Sequence, residues 1–328
     1  MKLGKVSESV LKRSILKNLD QNNCKEFGMP DVDNDGGILD VPEGYMLVAT
    51  TDPITTAVHN IPALAIHNVV NDMVVMGAEP KAVLLTILLS PEKRESYLKR
   101  LMEEIRIICR EYGIRVLGGH TETTDAVNRP VISVTGLGWL EKEYFDTREG
   151  IRAGQDIVMT KGIGIEGTAI MAYDREKELS KRFSPSFIRQ CQEFIHDISI
   201  YEDAKIAKNF CSAMHDVSDG GLFGSLWEIA EGADAGLQVE LRKILIRQET
   251  IELCELFDVN PYTLLSGGTL LAVADDGEAL VSHLQEKGIT AAVIGKITDS
   301  KERVIVHEDE KRFLERPKAM APTYMAGE

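Results

Sequence analysis

Two domains of mixed helices and strands are what this sequence predicts, on three observations. The chain has 328 residues, about two lengths of roughly 100–200 residues each. Strand-like and helix-like segments alternate along its whole length. A charged, glycine-containing stretch, Glu141 to Gln155, interrupts that alternation near the middle and reads as a boundary. The domains are therefore expected at 1–145 and 146–328.

Tyr45 to Thr51 (YMLVATT) is a short apolar strand, and Pro62 to Gly77 reads as a helix. Lys81 to Leu89 is apolar on both faces, as a central strand should be. Ser90-Pro91 then has the residues of a helix start, Ser as cap and Pro in the first turn. Leu98, Leu101, Met102, Ile105, Ile108, Cys109 and Tyr112 follow at helical spacing, and Gly113 is a natural stop. Strands at Ile114 to Leu117 and Val131 to Leu137 close the first half.

The second half repeats the mixture. Strands are expected at Asp156 to Thr160, before Asp216, at Leu237 to Leu241 and at Thr269 to Ala274. Helices are expected near 167–180, 185–209, 221–233, 247–257 and 276–287, with two short strands at the end.

Composition narrows the function classes. Hydrophobic residues make up 44% and the formal net charge is −15. Such a surface repels nucleic acid, which needs clustered Lys and Arg. Five scattered cysteines with no C-x-x-C pair read as reduced thiols. No stretch reaches the roughly 18 apolar residues of a membrane span, and the N-terminus lacks an apolar signal region. A cytoplasmic protein with no nucleic-acid or membrane partner is expected.

Two patterns invite readings that their context weakens. Gly162-x-Gly164-x-x-Gly167 follows a strand and opens a helix, but a second long helix follows where a dinucleotide fold needs a strand. A tight turn is the simpler reading. Asp31-x-Asp33-x-Asp35-Gly36 resembles the start of a calcium loop, but its twelfth position is Pro42. The P-loop pattern GxxxxGK[ST] is absent.

The informative constellation is acidic. Asp33 and Asp35 lie in a glycine-ended loop, and Thr50-Thr51-Asp52 puts a carboxylate at the end of an apolar strand. In the helix Ala63 to Met76, His67, Asn68, Asn71 and Asp72 share one stripe at 100° per residue. Short amides and one short acid are costly to bury unless satisfied. The stripe is either a hydrogen-bonded buried network or a metal or phosphate site. Several Asp residues without a Cys or His set suit a hard cation such as Mg²⁺. Gly118-Gly119-His120-Thr121-Glu122 ends the next strand, where paired glycines let backbone approach a ligand. His215-Asp216-Val217-Ser218-Asp219-Gly220-Gly221 joins a strand to a helix, which suits either a cap or phosphate binding. Ser266-Gly267-Gly268-Thr269 precedes an apolar strand.

In this order, these elements resemble the aminoimidazole ribonucleotide (AIR) synthase superfamily: acidic loop, TTD, ND followed by Met76-Gly77-Ala78-Glu79-Pro80, GGHT, then D-x-S-D-G-G. The resemblance spans about residues 30–275. It is greatest to the hydrogenase expression/formation branch of carbamoyl dehydratase type, which modifies its own C-terminal cysteine. Three departures stand out. The chain ends Met325-Ala326-Gly327-Glu328, Asp219 stands where that branch has Arg, and Gly267 stands where it has Glu. Asn34 also replaces a second Asp of the acidic loop. Asp216 to Gly221 is closer to the DVSDG of thiamine-monophosphate kinase.

The resemblance implies an α+β fold of two domains, with the N-terminal sheet domain forming both a homodimer and the ATP site, and a C-terminal α/β domain. It implies ATP and Mg²⁺ as cofactors. Asp35, Asp52 and Asp72 would be metal ligands, and Asn71, Gly118, Gly119, His120 and Thr121 would contact the nucleotide. Asp216 and Asp219 would be catalytic and face the acceptor. The activity implied is phosphoryl transfer from ATP to an oxygen of a small substrate or partner-protein group. A nucleotide-binding maturation scaffold with little turnover, or a small-molecule kinase, is the alternative.

Overall fold

In the computed structural model, residues 1–19, 35–147 and 150–317 are described. The chain forms two compact units: Met1–Met73 with Ala78–Asp146, and Thr147 onward with Val74–Gly77.

The first unit is a five-stranded sheet with helices on one face. Its elements are β1 (Gly4–Lys5), a short α1 (Glu8–Val10) continued by further helical turns to Asn18, β2 (Tyr45–Ile54), α2 (Ile61–Val75), β3 (Glu79–Leu89), α3 (Glu95–Glu111), β4 (Arg115–Thr123), β5 (Val131–Glu141) and α4 (Lys142–Thr147). The strand order is β1-β4-β3-β5-β2. β3 and β4 pair in parallel, and the other pairs are antiparallel.

Alternation along the strands sets the two faces. Val48 and Ile54 of β2, Val83, Leu85, Ile87 and Leu89 of β3, and Ile132, Val134 and Leu140 of β5 are buried. α2 lies over this face at Gly136, where a Cβ would come within 2.2 Å of Val69 Cγ1 and 2.8 Å of Met73 Cε. The opposite face has no helix pattern of burial: Leu47, Ala49, Thr51 and Thr86 are exposed, and Leu84, Leu88, Ser133, Thr135, Leu137 and Trp139 are half-buried.

α3 starts later than its sequence suggests. Ser90 to Lys93 forms a turn, with the Lys93 N–H donating to the Ser90 carbonyl at 3.0 Å. Arg94 is extended (φ −92°, ψ 159°) and the helix begins at Glu95. Glu95 is tied to the N-terminal segment, accepting from Arg13 Nε at 2.5 Å and Ser14 Oγ at 2.7 Å. The Arg13 hydrogen bond, with that from Ser14, holds this carboxyl down at about 2. Leu98, Leu101, Met102, Ile105 and Cys109 form the buried face, and Gly113 (φ 65°) ends the helix.

The second unit carries a seven-stranded sheet of order β12-β11-β8-β10-β6-β9-β7. Its strands are β6 (Asp156–Thr160), β7 (Cys211–Asp216), β8 (Gly236–Glu240), β9 (Leu270–Ala274), β10 (Ala291–Thr298), β11 (Arg303–His307) and β12 (Glu310–Phe313). Only β8 and β11 pair in parallel. Three closing strands stand where two were expected. The helices are α5 (Ile165–Asp174), α6 (Glu176–Leu179), α7 (Pro185–Glu193), α8 (Tyr201–Ala207), α9 (Gly221–Gly232), α10 (Gln248–Phe257) and α11 (Gly277–Glu286). The span 185–209 is therefore two helices joined by a 3-10 turn, Phe194–Asp197. Ile157, Met159, Leu226, Leu237, Val273 and Ile294 belong to one buried cluster.

The packing of α2 on β5 makes a direct prediction. Gly136→Val places side-chain carbons where Val69 and Met73 already sit, so urea unfolding should show a loss of about 1–3 kcal/mol from overpacking. Thr86→Val, on the opposite face, should change stability by no more than about 0.5 kcal/mol.

Candidate functional site

The acidic and glycine motifs of the first unit meet in one transverse band of its sheet. Asp52 pairs with Val134, Val134 with Leu85, and Leu85 with Gly119. The next row is Pro53, Ser133, Thr86 and His120. Asp52 and Gly119 thus stand three inter-strand spacings apart, about 14 Å at the usual spacing.

The glycine pair is fixed by close backbone contacts. Gly118 (φ 150°) and Gly119 (φ 141°) lie beside a register shift between Val83 and Leu84 in the β3–β4 pairing. A Cβ on Gly118 would meet the Asp35 carbonyl oxygen at 2.1 Å, and one on Gly119 would meet the Leu85 carbonyl oxygen at 1.8 Å. The Gly119 N–H donates to the Asp35 carbonyl at 2.7 Å. The end of the acidic loop is therefore docked on the β4 edge through backbone. The Asp35 carboxylate takes a hydrogen bond from Lys5 Nζ at 2.8 Å. Both partners are about half exposed, so this pair adds little stability.

On the helix side of the band, Thr50 Oγ1 donates to Asp72 Oδ2 at 2.6 Å. That bond joins the TTD strand to the ND helix. Asn71 is 2% exposed, and Asp52 and Asp72 are half-buried. His67, one turn earlier on α2, meets Tyr112 at 2.9 Å between Nδ1 and the hydroxyl. Thr121 is buried, whereas His120 and Glu122 stand on the open face, 3.2 Å apart between Nε2 and Oε2.

Asp72 is thus brought to the TTD strand through Thr50, whereas Asp35 lies at the far edge of the sheet. Among the described residues no three His, Cys, Asp or Glu side chains group closely enough to hold one metal ion. Asp31, Asp33 and Asn34 lie outside the described residues. Carboxylates and an amide form an oxygen donor set, which fits a hard cation such as Mg²⁺.

In the second unit, Asp216 ends β7 half-buried and Asp219 is exposed in the turn before α9. Gly220 (φ 81°) and Gly221 (φ 60°) form that turn, and a Cβ on Gly221 would meet the Leu264 carbonyl at 2.6 Å. His215 fastens the motif: Nδ1 lies 2.5 Å from the Asp216 carbonyl and Nε2 lies 3.3 Å from Glu228 on α9. Both neighbours are acceptors, so both ring nitrogens are satisfied only in the imidazolium form. Burial opposes the charge, but the bond to Glu228 and the nearness of Asp216 outweigh it, and the His215 pKa is raised.

The Gly162-x-Gly164-x-x-Gly167 turn is held by the chain itself. Ser266 Oγ accepts from the Gly164 N–H at 2.8 Å, and the Leu265 carbonyl accepts from the Gly167 N–H at 2.9 Å. The buried Glu166 carboxylate accepts from the Gly267 N–H at 3.2 Å. The glycines of the two motifs allow this interlock, since a Cβ on Gly167 would meet Leu264 at 2.4 Å.

Sequence reasoning did not find Lys5, Glu228 or Glu166 as partners of these motifs. Glu228 lies 13 positions beyond His215, a spacing with no local signature. Lys5 sits in a segment with no motif at all.

Residues 33–140 match the family described as AIR synthase related protein, N-terminal domain, and residues 152–308 match its C-terminal domain. A protein named for hydrogenase expression/formation in Methanocaldococcus jannaschii is 26% identical over 319 residues, covering 92% of this chain and 91% of that one. Carbamoyl dehydratase HypE of Azotobacter vinelandii is 25% identical over 291 residues, covering 85% and 82%. The solved structure of hydrogenase maturation protein HypE in complex with ATP has the same fold, with a TM-score of 0.76 at 20% identity over 98% of this chain and 97% of that one.

The His215 clamp predicts a pH dependence. Its folded-state pKa is raised, so its contribution is complete below the unfolded histidine value of about 6.5. That contribution is lost as pH rises through the higher folded value. His215→Gln should flatten stability against pH across that window, as read by urea midpoints. An unchanged slope in the variant would remove the clamp.

Proposed function

We propose, from the premise that the chain belongs to the AIR synthase related family through both of its domains, that it is a Mg-ATP-dependent enzyme of the hydrogenase-maturation type. The observation that carries this reading is the transverse band of one sheet that has Asp52 and the Thr50–Asp72 bond at one end and the Gly118–Gly119 pair with Asp35 at the other. Relatives named for hydrogenase expression/formation and carbamoyl dehydration, and a fold neighbour solved with ATP, support it. Asp52 with Asp72 at one end of the band, and Asp35 at the other, would hold Mg²⁺ ions, whose charge offsets that of the phosphates. Asn71, Gly118, Gly119, His120 and Thr121 would contact nucleotide, and Asp216 and Asp219 would face the acceptor.

The acceptor is an oxygen supplied from outside the chain, on a small molecule or a partner protein. Three of the five cysteines support that part of the reading. Cys109, Cys191 and Cys254 are buried, and burial pushes each thiol up to about 12. A thiol in that state is not a nucleophile at neutral pH. Cys24 lies outside the described residues.

The first unit also offers a surface for a second copy of the chain. Leu47 is 51% exposed on the open face. Leu84, Leu137 and Trp139 stand half-buried beside it. Apolar side chains grouped on one sheet face are characteristic of an interface.

Two measurements test the proposal. Calorimetry should show Mg-ATP binding that Asp72→Ala weakens by at least about tenfold, or 1.4 kcal/mol. Equal affinity in the variant and wild type would exclude the carboxylate from the site. Sedimentation at micromolar concentration should give a dimer, and Leu47→Lys should shift it towards monomer; a wild-type monomer would contradict the interface.

A further inference from the structure

Lys5 lies in a segment without a motif, yet its ammonium stands at the Asp35 end of the band. β1 pairs with β4 so that Lys5 is opposite Glu122, and the Val6 N–H donates to the Thr121 carbonyl at 3.1 Å. The backbone of Lys5 is thereby pinned to the β4 edge, on which the Asp35 carbonyl also accepts from the Gly119 N–H. From there Nζ donates to both oxygens of the Asp35 carboxylate, at 2.9 Å and 2.8 Å. Lys5, Asp35, Gly118, Gly119 and Thr121 line one cavity of the first unit, and its other walls are apolar. Among the described residues that line it, Lys5 alone is basic.

Charge makes this placement informative. The nucleotide contacts assigned above, Asn71, Gly118, Gly119, His120 and Thr121, include no Lys or Arg. Three carboxylates and a triphosphate bring together more negative charge than the magnesium ions between them offset. A lysine ammonium is a compact point charge on a flexible four-carbon stem, which suits a phosphate. Its present partner is easily exchanged. Both side chains of the Lys5–Asp35 pair are about half exposed, and such pairs contribute little. A metal ion bound to the Asp35 oxygens would repel an ammonium held at hydrogen-bond distance from the same atoms. Gly118 and Gly119, in the same cavity, have no side chain to stand between that ammonium and a phosphate.

We propose that Lys5 is a phosphate contact of the nucleotide site, and that it reaches the phosphates by giving up Asp35 to the metal ion. The proposal rests on the Mg-ATP reading of the band and adds to it the basic group that this reading lacks. Lys5 changes only its side-chain torsions, because its backbone stays paired on β4. Asp35 has a cation beside it in both arrangements, first the ammonium and then the metal. The ammonium in turn always faces an anion, first the carboxylate and then a phosphate oxygen.

The experiment has two arms on the full-length protein, and the proposal requires them to move in opposite directions. The first uses Mn²⁺ alone, without nucleotide, read by electron paramagnetic resonance. Lys5→Met, which keeps the apolar stem and removes the competing charge, should bind Mn²⁺ roughly two- to fivefold more tightly, the worth of an exposed ion pair. The gain should vanish when Asp35→Asn is added. Unchanged or weaker Mn²⁺ binding in Lys5→Met, or a gain that survives Asp35→Asn, would overturn the exchange. The second arm is calorimetry with Mg-ATP. Lys5→Met should weaken binding by at least about tenfold, as for a lost hydrogen bond to a charged group. Lys5→Arg keeps the charge and should stay within about threefold of wild type. Equal or tighter Mg-ATP binding by Lys5→Met would reduce Lys5 to a surface partner of Asp35, and a loss in Lys5→Arg as large as in Lys5→Met would remove the charge as its cause; either overturns the phosphate contact. Failure of wild type to bind Mg-ATP would defeat the functional reading instead, and the Mn²⁺ arm would still decide whether Lys5 competes for Asp35.

Discussion

The docking of the Asp35 carbonyl on Gly118 and Gly119 is the constraint on which the first unit's site depends. A methyl group on Gly118 would collide with the Asp35 carbonyl of the acidic loop, and one on Gly119 with the Leu85 carbonyl of β3. Collisions with backbone cannot be relieved by a rotamer change, so both positions require glycine. The one hydrogen bond from Gly119 to Asp35 then fixes where the loop ends. The Asp35 carboxylate then takes a hydrogen bond from Lys5, which pairs with Glu122 between β1 and β4.

The sheet gives each of its faces a different task. The helix side is closed by α2, and its polar contribution is the Thr50–Asp72 bond, which ties strand to helix at the level of the motif. The open side carries two zones. One is apolar, with Leu47, Leu84, Leu137 and Trp139. The other is polar, with Thr51, Ser133, Thr86, His120 and Glu122. A two-residue period along each strand is enough to separate them. The same period explains why His120 and Thr121, adjacent in sequence, serve opposite faces.

Much of this was legible in the sequence, and the exceptions share a physical cause. The buried face of β3 followed from its apolar run, but its other face, with Leu84, Thr86 and Leu88, is open in the single chain although the run reads as apolar on both sides. The buried stripe of α3 followed from its spacing. The TTD and ND motifs were visible as polar residues in apolar surroundings, but the bond between Thr50 and Asp72 depends on how α2 lies on the sheet. The Ser90-Pro91 start failed because an extended Arg94 ends the turn, and the helix is anchored instead by Glu95 to Arg13 and Ser14, some eighty positions away. The Gly162-x-Gly164-x-x-Gly167 turn read correctly as a turn. Its partner, Ser266 to Gly267, was found as a motif but not as the other half of the same interlock. Contacts between distant segments leave no local period to read.

The central claim is that nucleotide binds at the band joining Asp35, Asp52, Asp72 and Gly118–Thr121. Hydrogen–deuterium exchange of the full chain with and without Mg-ATP tests it most directly, because it reports every amide at once. The account predicts slowed exchange at residues 35–37, 50–54, 71–72 and 118–123 when Mg-ATP is present. Protection confined to the 162–167 turn, or no protection in the band at saturating Mg-ATP, would contradict it.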